Sequence, residues 1–301
     1  MEKVNNIRVE MIRMEGDVAP FVQVDCMDKE AQEYSGLMLV DSGSTTNILS
    51  PEITEQTGLM CKLDEEDTIS SISKEVMRVS QVRFSFVLGA QQFSETFCIS
   101  NQQLPISVKG MKVLGILGNQ FLQKHRLVLD YSDYTLHTSN VSPSNLSIED
   151  CSFFFPMDIG LQFYGLPVLS VKQNGKELVT LVDTGSTTNM ISRQTLTENE
   201  FKHRCLEGKD VIVNVIGEVE VDEARVWFNM MSLYKDDVCE LIRHDKFSVL
   251  PCNIMTPEIG DCDTNGDQLP PIEVLLGSPF IARERWILDF GANIIYKRKA
   301  A

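Results

Sequence analysis

One nonapeptide occurs twice in this chain. Leu39-Val40-Asp41-Ser42-Gly43-Ser44-Thr45-Thr46-Asn47 returns as Leu181-Val182-Asp183-Thr184-Gly185-Ser186-Thr187-Thr188-Asn189, with Thr184 in place of Ser42. Each copy leaves an apolar run and enters another, Ile48-Leu49 in the first and Met190-Ile191 in the second. A second pair of segments repeats in the same order. Leu117-Gly118-Asn119-Gln120-Phe121-Leu122 leads to Arg126-Leu127-Val128-Leu129-Asp130-Tyr131, and Leu276-Gly277-Ser278-Pro279-Phe280-Ile281 leads to Arg285-Trp286-Ile287-Leu288-Asp289-Phe290. The chain is therefore an internal duplication, and its fold must be built from two like halves. The aspartates are offset by 183 − 41 = 142 and the glycines by 277 − 118 = 159, so the second half carries 17 additional residues between them.

The repeated unit reads as β-structure. Residues 7–11 and 21–24 alternate apolar and polar side chains, the pattern of a half-buried strand, and are broken by Gly16 and Pro20. A polar tip over 28–33 precedes a strand over 36–40 that delivers Asp41. In the second half a strand over 166–171, a turn at Asn174-Gly175 and a strand over 178–182 deliver Asp183; Asn-Gly is a favoured two-residue hairpin turn. Short helices are expected over 51–58 and around 193–199. Strands over 76–79, 82–88 and 93–99 have counterparts over 211–216, 218–221 and 224–230. After each Leu-Gly, Asn119 and Ser278 read as helix N-caps, and Pro279 suits the first helical position. The Ser- and Asn-rich stretch 138–152 reads as a linker, dividing the chain into lobes 1–142 and 143–301.

With 301 residues, 43% of them hydrophobic, the chain can bury a substantial core. A formal charge of −16 disfavours nucleic acid and anionic membranes as partners, because binding to either is driven by Lys and Arg meeting phosphate. The start lacks the apolar region of a signal peptide and no run reaches membrane-spanning length, so a cytoplasmic location is expected. Eight cysteines without a Cys-x-x-Cys pair suggest reduced, mostly buried thiols. His125, His137, His203 and His244 show no metal spacing. The stretch 261–267 imitates the start of a calcium loop, but Ile272 stands at the twelfth position where a Glu is required, so no metal is expected.

An apolar strand running into Asp-Ser/Thr-Gly-Ser, twice in one chain, resembles the active-site signature of the aspartic proteases. The resemblance implies an all-β protein with two similar retropepsin-like lobes of the acid-protease β-barrel fold and an active site between them. The lobes, at about 150 residues, look closer to retropepsins than to pepsins, although here they are fused in one chain. Asp41 and Asp183 are the implied catalytic pair. Two carboxyls held close together cannot both ionise, so one stays protonated while the other acts as a base towards water. No metal, cofactor or covalent intermediate is called for. Residue by residue, the resemblance gives Ser42 and Thr184 a hydrogen bond across to the opposite loop. Gly43 and Gly185 allow close backbone approach to the carboxylates, while Ser44 and Ser186 would turn their hydroxyls on the outer carboxylate oxygens. The apolar-apolar-Gly stretches ending at Gly118 and Gly277 would pack behind the loops. Flap tips are expected near Ser71 and Ile72 and near Ile216 and Gly217. The implied partner is a peptide or protein substrate, and the implied state a monomer. The rival reading is a catalytically silent module that binds peptides on the same fold. The enlarged region 234–271 has no role that the residues disclose.

Overall fold

The computed structural model describes residues 7–13, 19–27, 30, 32–57, 61–70, 76–100, 107–139, 151–157, 165–173, 175–198, 205–213, 218–234, 237–257, 262, 266 and 268–298. The first half runs β1 (Arg8–Glu10), β2 (Phe21–Met27), β3 (Glu33–Val40), β4 (Ile48–Leu49), α1 (Pro51–Thr57), β5 (Cys61–Ser70) and β6 (Val76–Leu88). It continues through β7 (Gln91–Ile99), β8 (Ser107–Val108), β9 (Met111–Leu117), α2 (Asn119–Lys124), β10 (Leu127–Asp130) and β11 (Thr135–Thr138). The second half comprises β12 (Cys151–Pro156), β13 (Val168–Gln173), β14 (Lys176–Asp183), β15 (Met190–Ser192) and β16 (Cys205–Val213). There follow β17 (Glu218–Tyr234), β18 (Asp237–Leu250), β19 (Ile272–Gly277), α3 (Ser278–Glu284), β20 (Ile287–Asp289) and β21 (Ile294–Arg298).

The two halves repeat one another in strand order, the first adding the short β8 beside β9. In the first, β2-β3-β9-β4-β7-β6 lie side by side and close through β2 against β6, leaving β5 as an outlying partner of β6. In the second, β13-β14-β19-β15-β18-β17 follow the same order, close through β13 against β17, and leave β16 outside. Each lobe is thus a six-stranded barrel. The sequence writes the closure: along β6, Val82, Phe84, Phe86 and Leu88 alternate inward, where Phe84, Phe86, Phe93, Phe97 and Phe121 stack ring on ring. The second barrel packs Phe228, Phe247, Phe280 and Trp286 likewise. Strands entering the site are apolar on both faces (Leu37, Met38 and Val40 in β3), as suits a strand flanked by neighbours and covered on both sides.

A third sheet joins the lobes, in the order β1-β11-β10-β20-β21-β12, three strands from each half. At its centre β10 and β20 run antiparallel, with Leu129 opposite Leu288, both fully buried. The Tyr131 N–H donates to the Trp286 carbonyl and the Phe290 N–H to the Leu127 carbonyl, each at 3.0 Å, so equivalent positions cross the lobe boundary in both directions.

The structure corrects several sequence readings. The segments 76–79 and 82–88 form one strand, β6, and 218–221 and 224–230 form one strand, β17, because pairing passes from β7 to β5 along β6 and from β18 to β16 along β17, across a register shift, without ending the strand. The helix expected around 193–199 is a single 3-10 turn, Arg193–Thr195. Asn119 and Ser278 are first helical residues, not caps. The caps are Gly118 and Gly277, and no side chain caps either helix because both polar side chains are used elsewhere. The proposed linker begins and ends in strands, Thr138 in β11 and Cys151 and Ser152 in β12; residues 140–150 lie outside the described residues. Of the described cysteines, Cys26 and Cys98 are buried and outside any disulfide, whereas Cys262 is exposed.

Pairing also locates the additional residues. Val87 and Asn229 hold equivalent places against β2 and β13, offset by 229 − 87 = 142. Cys98 and Ser248 are equivalent against β4 and β15, offset by 248 − 98 = 150. Eight of the 17 residues therefore lengthen the β17–β18 hairpin, and nine fall between β18 and β19. The enlargement begins within β17, ahead of Tyr234.

The two tryptophans occupy opposite environments: Trp286 is 0% exposed and Trp227 is 56% exposed, stacked on His244. Trp227→Phe should leave a blue-shifted emission that acrylamide hardly quenches, and Trp286→Phe a red-shifted, readily quenched one. The opposite assignment would contradict this packing.

Candidate active site

Asp41 and Asp183 stand at the ends of β3 and β14, and each chain then turns back within three residues. Gly43 N–H (2.8 Å) and Ser44 N–H (3.1 Å) donate to Asp41 Oδ1; Gly185 N–H (2.9 Å) and Ser186 N–H (3.1 Å) donate to Asp183 Oδ1. The carboxyls also hydrogen-bond each other. The two glycines make this approach possible. A Cβ at Gly43 would fall within the Asp183 carboxyl group, and one at Gly185 within that of Asp41. Each loop thus lays bare backbone against the opposite lobe's carboxyl, which only glycine permits.

Behind the carboxyls the loops exchange hydroxyls. Ser42 Oγ donates to the Val182 carbonyl (2.7 Å) and accepts from Thr184 N–H (3.0 Å). Thr184 Oγ1 donates to the Val40 carbonyl (2.7 Å) and accepts from Ser42 N–H (3.0 Å). Both side chains are fully buried. Three buried polar groups on each side of the lobe boundary satisfy one another through four hydrogen bonds, as burial requires.

Ser44 and Ser186 act differently from the resemblance. Their hydroxyls donate to the Thr46 and Thr188 carbonyls, both at 2.8 Å, and it is their backbone N–H groups that meet the carboxylates. The hydroxyls brace the turn that aims those N–H groups. The flap residues Ser71, Ile72, Ile216 and Gly217 lie outside the described residues. The hairpins leading to them are present, paired as far as Ser70 opposite Val76 and Val213 opposite Glu218.

Four further residues belong to the site: Asn47, Asn189, Tyr131 and Ser278. Asn47 Oδ1 accepts from Gly118 N–H (2.9 Å) and Asn189 Oδ1 from Gly277 N–H (3.0 Å), tying each loop to the strand end behind it. Gly118 and Gly277 have no room for a side chain there, since a Cβ would meet the Thr46 or Thr188 carbonyl. The recurrence of Asn in both nonapeptides was the available signal. Tyr131, fully buried, reaches Ser278 Oγ at 3.4 Å, and Ser278 Oγ donates to the Thr184 carbonyl. Burial raises the Tyr131 phenol well above its usual range, and the two nearby aspartates add to the shift, so it remains protonated.

Burial raises both aspartates above the ordinary carboxylate range, and the charge of Asp41 beside Asp183 raises the second further; the loop N–H groups pull in the opposite direction. Two carboxyls so placed titrate as a pair and not one by one. Among the described residues no cluster of His, Cys, Asp and Glu could hold a metal ion.

No protein-family model matches the sequence, and no curated protein matches it. Solved structures do. The chain is similar to an aspartic proteinase from Irpex lacteus, at 11% identity and a TM-score of 0.56, over 99% of this chain and 98% of that one. It is also similar to basic 7S globulin from soybean, at 12% identity and a TM-score of 0.51, over 99% of this chain and 95% of that one. The chain has the pepsin-like, two-lobed acid-protease fold. One of these neighbours is named a proteinase and the other a globulin, so the fold by itself does not assign an activity.

Two predictions follow from the geometry. Ser42→Ala leaves the Val182 carbonyl and Thr184 N–H buried without their partner and should cost about 1–3 kcal/mol of stability, whereas Ser42→Thr, the choice made in the other loop, should cost far less. Denaturant midpoints of the two variants decide this; equal losses would deny the exchange its role. The second concerns pH. A carboxyl whose folded pKa is raised binds its proton more tightly in the folded state, so stability falls as pH climbs from the ordinary value of 3.8 through the raised folded value. Replacing Asp183 with Asn removes one of the two charges, so stability of that variant should fall less over this window than that of the parent, as measured by thermal melts at stepped pH.

Proposed function

We propose that this protein is an aspartic endopeptidase that hydrolyses peptide bonds with a water activated by Asp41 and Asp183. The observation that supports it best is the pair of hydrogen-bonded carboxyls from opposite lobes, each held by two backbone N–H groups and each packed against the other loop's glycine. A shared proton leaves one carboxylate as base and one carboxylic acid as proton donor. The ionised carboxylate takes a proton from water as its oxygen attacks the scissile carbonyl carbon. The acid partner donates its proton to the carbonyl oxygen, yielding a neutral tetrahedral diol. The carboxyl that gained the water proton then passes it to the leaving nitrogen. The C–N bond breaks as one diol hydroxyl returns its proton to the other carboxylate, which restores the single shared proton. The protein's part is to orient and to exclude bulk water, because the N–H groups that hold the carboxylates are fixed before substrate arrives.

Both aspartates come from one chain, so the active unit is a monomer acting on a peptide or protein lying across the two lobes. The short lobes favour kinship with single-chain retropepsins within the wider fold. The rival is a peptide-binding module, which would use the cleft without the proton; the soybean neighbour, named as a globulin, keeps that reading in view.

One experiment separates them. Peptide-library digestion should show cleavage that peaks on the acidic side of neutral, falling on both limbs as the pair gains or loses its proton. Asp41→Asn and Asp183→Asn should each abolish cleavage with far-UV circular dichroism unchanged. A statine-type hydroxyl, which sits where the diol forms, should bind the parent far more tightly than a matched peptide and lose that advantage in either variant. Cleavage surviving in one variant, or no preference for the statine in the parent, would overturn the reading.

A further inference from the structure

The two loops at the site are near copies, but the groups behind them differ. Tyr131 and Phe290 are equivalent, 159 residues apart, as are Asn119 and Ser278. The backbone crosses the lobe boundary at the same place in both, through the reciprocal Tyr131–Trp286 and Phe290–Leu127 bonds. Only one of the two carries a hydroxyl, and only one meets a hydroxyl partner. Ser278 spends its single proton on the Thr184 carbonyl, so in the 3.4 Å pair Tyr131 donates and Ser278 accepts. On the other side Asn119 turns its amide away, to the Gly165 carbonyl, and its Oδ1 is buried with no hydrogen-bond partner among the described residues. Among the described residues no side chain donates to the Ser42 carbonyl, the counterpart of the Thr184 carbonyl.

The Thr184 carbonyl and the Gly185 N–H belong to one peptide unit. That N–H donates to Asp183 Oδ1 at 2.9 Å and also faces the Asp41 carboxyl. A donor on the carbonyl oxygen draws electron density across the peptide and makes the N–H a better donor, the mutual strengthening expected along a hydrogen-bond chain in a low-dielectric interior. The chain is complete: Tyr131 hydroxyl, Ser278 hydroxyl, Thr184–Gly185 peptide, carboxylate. The charged end favours ionisation, because a hydrogen bond to the carboxylate stabilises that form.

We propose that Tyr131 is a positioning residue that, through Ser278, polarises the Thr184–Gly185 peptide against the ionised carboxyl pair and makes the two lobes chemically unequal at their shared site. The proposal deepens the endopeptidase reading, where unequal halves would give the bound peptide one preferred direction for proton transfer, but the relay itself exists whether or not the protein cleaves anything.

The test therefore has a readout that needs no activity. Carboxyl carbons of Asp-labelled protein are titrated by NMR in the parent, Tyr131→Phe, Ser278→Ala and Phe290→Tyr, the signals being assigned with the two Asp→Asn variants. Tyr131→Phe removes the first donor while keeping the ring, and should raise the lower apparent pKa of the pair by about half a unit, the scale set by a modest weakening of one hydrogen bond. Ser278→Ala should raise it at least as much. Phe290→Tyr should leave it in place, since Asn119 offers its new hydroxyl no route to the Ser42 carbonyl. If the parent cleaves peptides, the acid limb of kcat/KM should move with the NMR value. A titration unchanged in both Tyr131→Phe and Ser278→Ala, even with a lowered Tm, would reduce Tyr131 to packing and overturn the proposal. An equal shift in Phe290→Tyr would overturn its asymmetry. Absence of cleavage in the parent would sink the endopeptidase reading and leave the relay to be judged by NMR alone.

Discussion

Two carboxyl groups cannot be held against each other inside a protein unless something else fixes the backbones that carry them. Here that is the exchange of hydroxyls between Ser42 and Thr184. Each side chain satisfies a carbonyl and an N–H of the other lobe, so neither loop is complete without its twin. Everything nearby is subordinate to this. The glycines exist because the exchange brings each loop within reach of the opposite carboxyl, and Asn47 and Asn189 exist because a loop pinned at its front must also be pinned at its back.

The same logic sorts what the duplication kept from what it let drift. Within the nonapeptide loops, and where helix is tied to barrel, the two halves agree: the Glu95–Lys124 pair is matched by Asp245–Arg283 at the equivalent positions. Away from the boundary they diverge. Ser85 and Ser94 face each other where the second lobe stacks Trp227 on His244, and eight additional residues extend that second hairpin. Surface hairpins tolerate insertion because lengthening them adds pairing outside the barrel without disturbing its closure.

Much of this could be read from the amino acids. Asp-Ser/Thr-Gly is legible because the backbone geometry admits no other residue at Gly43 or Gly185, so the letters must recur. The paired apolar runs and the barrel strands were legible for a similar reason: burial on both faces leaves a chemical trace. The errors have physical causes. Asn119 and Ser278 look like helix caps from local sequence, but tertiary demand takes their side chains to Gly165 and Thr184. β6 and β17 looked broken because polar Ser80 and Gln81, and Asp222 and Glu223, interrupt the alternation where the strands leave the core. The offset of 17 residues was plain, but its division between a hairpin and a loop depends on register, which no single strand encodes. Tyr131 escaped notice because its hydroxyl matters only through a partner 147 residues away.

The sheet that joins the lobes sets an order of events during synthesis. Its central pair forms only once β20 exists, and β12 joins it only through β21. Asp41 and its whole barrel are made before these segments, and the carboxyl that must face Asp41 belongs to the later lobe. A nascent chain therefore carries one carboxyl loop without its counterpart until the second barrel has been made. Until then Ser42 has no opposite hydroxyl to meet, so the exchange that fixes both backbones cannot form earlier.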